Sequence, residues 1–263
     1  MSSHTTRLYI ANLSGVPALR CLALVVVVLF TAAVGADRAS ATSVSPIQLE
    51  MTSAGSASRA QVKVTSSSQT PLALEASIKR MELDEDGRQS LSEAGADFLI
   101  FPPQAMVPPG VTQVFRVEWV GAPDLPESQS FLLSLSQIPL KNPKSQSTVQ
   151  VIMSLGVLVN VAPFKGTPQI KLVGTAVAVE KTGKRQPTIT VENPTRVHAL
   201  LKDATIRLSN GSWSQTLSPA DFSQMVGAGL VQPGKRRRFT LPIELPASVK
   251  AVQADIDYRP KSP

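Results

Sequence analysis

From residue 42 onward, apolar and polar residues alternate in short runs, and no stretch sustains a 3.6-residue period. Alternate side chains of an extended chain share a face, so this pattern dictates strands with one buried side. The runs are Ile47–Met51, Ala60–Thr65, Leu72–Met81, Gln113–Trp119, Phe131–Ile138, Thr148–Asn160, Gln169–Leu172, Val177–Glu180, Thr188–Glu192, Ala204–Leu208, Phe239–Ile243 and Ala251–Tyr258. They recur at intervals of about 10–15 residues with Pro, Gly, Asn or Ser between them, which predicts an all-β sandwich architecture. Leu91–Ala96 and Pro219–Val226 each have room for a helical turn.

The longest run ends at Pro163-Phe-Lys-Gly-Thr-Pro168, a Pro/Gly breaker suited to a domain boundary. The division predicts two immunoglobulin-sized sandwiches, over 42–164 and 165–263. Ahead of them, Arg7 and Arg20 precede the apolar run Cys21–Val34. A span needs about 20 such residues, so this shorter run is expected to be a signal peptide rather than an anchor. Small residues at Val34-Gly35-Ala36 and Ala39-Ser40-Ala41 place the expected cleavage after Ala36 or Ala41. The sequence therefore predicts an exported protein with a signal segment over 1–41 and no stable membrane insertion after its removal.

Export changes what the composition means. The chain has one Cys and two His, and removal of the segment would take Cys21 and His4 with it. His198 alone then remains. A Cys–His dyad, a His pair or a zinc site is excluded, and no G-x-S-x-G nucleophile turn is present. No enzyme activity, metal or cofactor is expected. The formal net charge of +7 suits anionic partners or a membrane surface, and in an exported protein it does not point to nucleic acid.

Function is expected to lie in the run Thr148–Val159. Val149, Val151, Met153, Leu155, Val157 and Val159 share one strand face, and Gln150, Ile152, Ser154, Gly156 and Leu158 share the other. A strand of this kind is either a central core strand or an edge strand offered to another protein by strand addition.

The order of segments around this run resembles the periplasmic pilus or fimbrial assembly chaperones. Val44-Ser-Pro-Ile-Gln-Leu-Glu-Met51 resembles that family's first strand. Phe101-Pro-Pro-Gln-Ala-Met-Val-Pro-Pro-Gly110 followed by Gln113-Val-Phe-Arg-Val117 resembles its Pro-Pro, Pro-Gly, apolar-Arg-apolar segment. Phe131-Leu-Leu-Ser-Leu-Ser-Gln-Ile-Pro139 resembles the next strand, and Thr148 to Pro163 resembles the donor strand and its exit. Thr188–Asn193 and Leu230–Gly234 give a looser resemblance in the second half.

The resemblance implies two immunoglobulin-like domains in a boomerang arrangement, in the periplasm. It implies binding of pilus or fimbrial subunits by donor-strand complementation and their delivery to an outer-membrane usher. Val149, Val151, Met153 and Leu155 would be the donor side chains. The family's two basic anchors for the subunit carboxylate align on Gln48 and Leu158, neither of which is basic, as in the divergent branch called archaic. Gln48 would supply one neutral hydrogen bond, and Arg116 is the remaining candidate cation, with a structural pairing inside the first domain as its other role. The competing reading is a structural or adhesive secreted two-domain protein that buries its long strand internally.

Four further features are expected to be unremarkable. Lys235-Arg-Arg-Arg238 reads as a solvated edge and Glu82-Leu-Asp-Glu-Asp-Gly87 as an acidic hairpin turn. Trp119 and Trp213 read as core or hairpin packing, and His198 as structural or exposed.

Overall fold

The computed structural model describes residues 42–139, 152–211 and 213–260. The expected signal segment, the donor positions Val149 and Val151, and the polar loop before them lie outside the described residues. Residues Ala41–Pro263 form one compact unit. Among the described residues no helix is long and apolar enough to cross a membrane.

The first ten strands are β1 (Ser43–Ser45), β2 (Gln48–Thr52), β3 (Arg59–Thr65), β4 (Leu72–Leu83), β5 (Gln89–Glu93), β6 (Phe98–Phe101), β7 (Gln104–Val107), β8 (Thr112–Trp119), β9 (Gln129–Gln137) and β10 (Ser154–Ala162). They form two facing sheets, one ordered β1-β3-β8-β6 and the other β2-β10-β9-β4-β5, with β7 also paired to β4. Alternation places Val62, Val64, Phe115 and Val117 of one sheet against Leu133, Leu135, Val157 and Val159 of the other, all within 1% of full burial. At one end Phe98 stands edge-on to Trp119 and Phe131, at centroid distances of 5.1 and 4.8 Å. The Trp119 indole N–H satisfies itself on the Ala122 carbonyl at 3.1 Å, so this tryptophan is core.

The remaining strands are β11 (Lys171–Val179), β12 (Arg185–Glu192), β13 (Ala199–Leu200), β14 (Ala204–Asn210), β15 (Trp213–Leu217), β16 (Leu230–Val231), β17 (Arg236–Thr240) and β18 (Gln253–Tyr258). Their sheets are ordered β11-β12-β17, β13-β16 and β15-β14-β18 around a second core with Ile189, Val191, Ile206, Leu208 and Phe222 at its centre. Among the described residues no strand pairing joins the two groups. The architecture is two immunoglobulin-like sandwiches, all-β as the alternation predicts.

Two local departures have simple causes. Gln169–Leu172 and Val177–Glu180 are pieces of a single strand, because a register shift between Leu172 and Gly174 lets β11 continue past the interruption. Leu91–Ala96 is not helical: Gln89–Glu93 pairs with β4 although all five of its residues are exposed. Pro219–Val226 is a helix, α1, started by Ser218. The Ser218 hydroxyl accepts from the Asp221 amide, and the Asp221 carboxylate accepts from the Ser218 amide.

Candidate functional site

Strand β10 has neighbours of unequal length. Along one edge β9 pairs with it antiparallel from Ser154 to Val161; along the other β2 runs parallel and pairs only from Leu158 to Ala162. The Gln137 amide donates to the Met153 carbonyl at 2.8 Å, so the main-chain groups of Met153, Leu155 and Val157 face β9. The Leu158 amide donates the opposite way, to Ile47 at 3.0 Å. Ser154 and Gly156 alternate with Leu158, so their N–H and C=O groups lie on an edge that no described strand covers.

The apolar face of the same strand emerges gradually from the first core. Val157, Val159 and Val161 are fully buried, whereas Leu155 and Met153 pack on that core but are only partly covered. Of the four donor positions expected from sequence, these two are described. Across the strand, Ile152 is 57% exposed.

The open edge ends at a polar cleft. Gln48 and Glu50 alternate with the core residues Leu49 and Met51, so they face away from the first core, beside Leu158 and Asn160 of β10. A hydrogen-bonded row crosses three strands here. The Ser130 hydroxyl donates to Asn160 Oδ1 at 2.8 Å, and Asn160 Nδ2 donates to Glu50 Oε1 at 2.8 Å. Gln48 Nε2 also donates to Glu50 Oε1, at 2.6 Å.

The second sandwich supplies the other side of the cleft. His198 Nε2 meets Glu50 Oε2 at 2.5 Å, and the ring is 6% exposed. His198 Nδ1 lies 3.0 Å from the Ser128 hydroxyl, which also accepts from the His198 amide. Burial pushes the Glu50 carboxyl up. The hydrogen bond and charge of His198, with the bonds from Asn160 and Gln48, outweigh it and hold the group below its ordinary value. Lys202 Nζ donates to Gln48 Oε1 at 2.8 Å.

Lys202 sits on a 3₁₀ turn, Leu201–Asp203, whose Leu201 and Lys202 amides donate to the carbonyls of Gly229 and Ala228. Gly229 has φ +63°, and a Cβ there would lie 2.6 Å from the Phe222 ring and 2.8 Å from Leu201 Cβ. Only glycine permits this close approach, which presses the turn against α1. A cavity of about 180 Å³ beside it is lined by Glu50, His198, Lys202, Asp203 and Tyr258 among others. Desolvation pushes the Tyr258 hydroxyl up to about 12. On its other side Lys202 faces a depression shared with Ile47, Gln48 and Leu158, where the open edge stops.

The structure separates the two anchor candidates. Gln48 lies in the cleft. Arg116 lies on the other sheet, exposed on β8 opposite Gln61 and Phe101, in a surface depression with Arg59 and Glu118. Leu158 packs in a small apolar seam with Met81, Leu83, Leu200 and Leu230, which joins the sandwiches. Sequence reasoning missed Lys202, Glu50, Asn160 and the burial of His198. The visible signals were an asparagine and a glutamate on otherwise apolar strands.

The acidic run forms the expected hairpin turn, between β4 and β5. The basic run differs from the expected solvated edge, because it meets that turn. Arg238 pairs with Glu85, and with Asp86 at 2.8 Å; Lys235 stands 3.9 Å from Glu82. The Arg238 amide donates to the Glu85 carbonyl at 2.7 Å, and Gln232 bridges the Met81 carbonyl and the Leu83 amide at 2.8 Å each. Arg237 turns inward over Phe239, 4.9 Å from the ring centroid, and donates to the Leu230 carbonyl.

Comparison with known proteins gives a family for the first sandwich. Residues 43–164 match the model of the pili and flagellar-assembly chaperone, PapD N-terminal domain. Among solved structures, the chain is similar to the Pseudomonas aeruginosa CupB2 chaperone, at 18% identity and TM-score 0.47, over 81% of this chain and 92% of that one. It is also similar to the CsuC–CsuE chaperone–tip adhesion subunit complex of Acinetobacter baumannii, at 14% identity and TM-score 0.46, over 80% and 94% of the two chains. The Salmonella enterica SafA pilin–SafB chaperone complex is similar at 15% identity and TM-score 0.46, over 79% and 86%. No curated protein matches the sequence.

Proposed function

We propose, since residues 43–164 belong to the pili and flagellar-assembly chaperone family, that this protein is a periplasmic chaperone that caps pilus or fimbrial subunits by strand addition and passes them to an outer-membrane usher. The observation that carries the reading is the edge at Ser154 and Gly156 that no described strand covers, on a strand whose apolar face is only half covered at Met153 and Leu155. Main-chain groups on such an edge supply a ladder, and alternate side chains fill the partner's groove. Each fully buried Val or Met contributes about 1.5–3 kcal/mol before association costs. The donors are Val149, Val151, Met153 and Leu155.

The cleft sets the direction of the added strand. A strand laid along Ser154–Gly156 abuts the first residues of β2. If it runs parallel to β10, its C-terminal carboxylate arrives beside Gln48 and Lys202, where a charge-assisted hydrogen bond is available. An antiparallel strand would bring an ammonium toward Lys202 instead. We therefore assign the carboxylate anchor to Lys202 with Gln48, and Arg116 to a surface role on the outer sheet.

The experiment is co-purification of the Val151→Asp/Met153→Asp double variant with a pilus subunit expressed beside it. Complex recovery is expected to be lost while the free protein keeps its melting temperature. Recovery at the wild-type level would overturn the strand-addition reading and leave the structural, partner-free alternative.

A further inference from the structure

We infer that the Glu50–His198 pair is a positioning device that holds the Lys202 cation, with its charge available, at the end of the open edge. The inference rests on the carboxylate-anchor reading above. Gln48 has a donor end and an acceptor end, and the donor-only ammonium of Lys202 can pair with the acceptor end alone. Glu50, once ionised, is acceptor-only, so the Gln48 NH₂ must point to it, and the Gln48 carbonyl is left facing Lys202. Asn160 obeys the same rule: its NH₂ points to Glu50 and its carbonyl accepts from Ser130. Gln48, Asn160 and His198 all direct a donor at the Glu50 carboxylate.

His198 completes the arrangement from the second sandwich. Because Glu50 accepts, the His198 Nε2 carries the proton, and Ser128 holds the other side of the ring. Both Glu50 and Ser128 belong to the first sandwich. They fix His198, and with it the short β13 segment that leads into Lys202. The result has a chemical consequence. The oxygens of Glu50 accept from Gln48, Asn160 and His198, so Lys202 is paired with a neutral amide oxygen rather than with a carboxylate. An arriving carboxylate exchanges a neutral partner for an anionic one, which is a net electrostatic gain. Glu50 and His198 therefore act through Gln48 and Lys202, and neither touches the ligand.

The test uses the full exported chain and two synthetic ten-residue peptides of alternating Val and Thr, one ending in a free carboxylate and the other in an amide. Wild type is expected to prefer the acid by about tenfold or more, the range of a charge-assisted bond. His198→Leu should bring the two affinities within about twofold of each other and leave amide-peptide binding unchanged, since the open edge is untouched. His198→Gln, whose side-chain NH₂ can still donate to Glu50, should restore the preference. A His198→Leu variant with the full preference for the acid overturns the positioning role. Equal binding of both peptides by wild type overturns the anchor, and binding of neither overturns strand addition itself.

Discussion

A single carboxylate organises the cleft, and its protonation has a predictable effect. Glu50 is held below its ordinary value in the folded protein, so the folded state binds its proton less tightly than the unfolded chain does. The stabilisation is complete above the unfolded value near 4.5 and is lost as pH falls through the lower folded value. Thermal melts of wild type and Glu50→Gln, followed between about pH 6 and 3, should therefore converge toward acid, with wild type losing more. Parallel slopes would show that the carboxylate has no role in stability. None of this was legible from Glu50 alone, because two of its three partners, Asn160 and His198, are brought in from distant parts of the chain. Gln48 was singled out in sequence only by its place on the first strand, whereas Lys202 lay in a segment with no strand pattern. Trp119 was readable because a large ring on an alternating face has nowhere to go but the core.

At the level of strands, legibility followed burial. Strand β10 alternates because Val157, Val159 and Val161 are enclosed by the first core. Strands β5, β6 and β7 escaped notice because β5 is wholly exposed and β6 and β7 alternate over only four residues each. The edge of β10 that no described strand covers was invisible in the sequence, since it depends on where β2 starts rather than on any residue of β10. It can be tested without touching an apolar side chain. Ser154 points its amide outward, so Ser154→Pro removes a donor from the open edge and leaves the β9 ladder intact. The only described side-chain bond lost is the exposed one to Ser136. Subunit recovery should fall several-fold, while the melting temperature changes little. An equal loss of both would instead indicate that Ser154 supports the fold.

Across the whole molecule, the sandwiches are joined by three different kinds of contact. The Leu158 seam is apolar, the Glu50–His198 pair joins a buried imidazole to a partly exposed carboxylate, and the clasp between β17 and the β4–β5 hairpin is ionic and half exposed. Charge runs 150 residues apart were each readable as solvated, and their complementarity emerged only when the fold brought them together. Exposed pairs of this type contribute about 0.2–1 kcal/mol each and are screened by salt. Arg238→Glu should therefore destabilise modestly, and Arg238→Glu with Glu85→Arg should recover part of the loss. In a double-mutant cycle by urea unfolding, a coupling of about 0.5–1 kcal/mol at low salt that shrinks in 1 M NaCl is expected. Zero coupling would reduce the clasp to coincident charges.

The unequal lengths of β2 and β9 also have a consequence for counting. Side chains of a strand alternate with a period of two, so a slip of one residue turns every donor-facing position of a partner away from its groove. Because β2 begins beside Leu158, it stands as a doorstop at the end of the edge that no described strand covers. A guest strand that runs up against it has its numbering fixed from that end. Under the strand addition proposed above, this edge becomes a ruler, graduated in steps of two residues, against which a visitor's sequence is read.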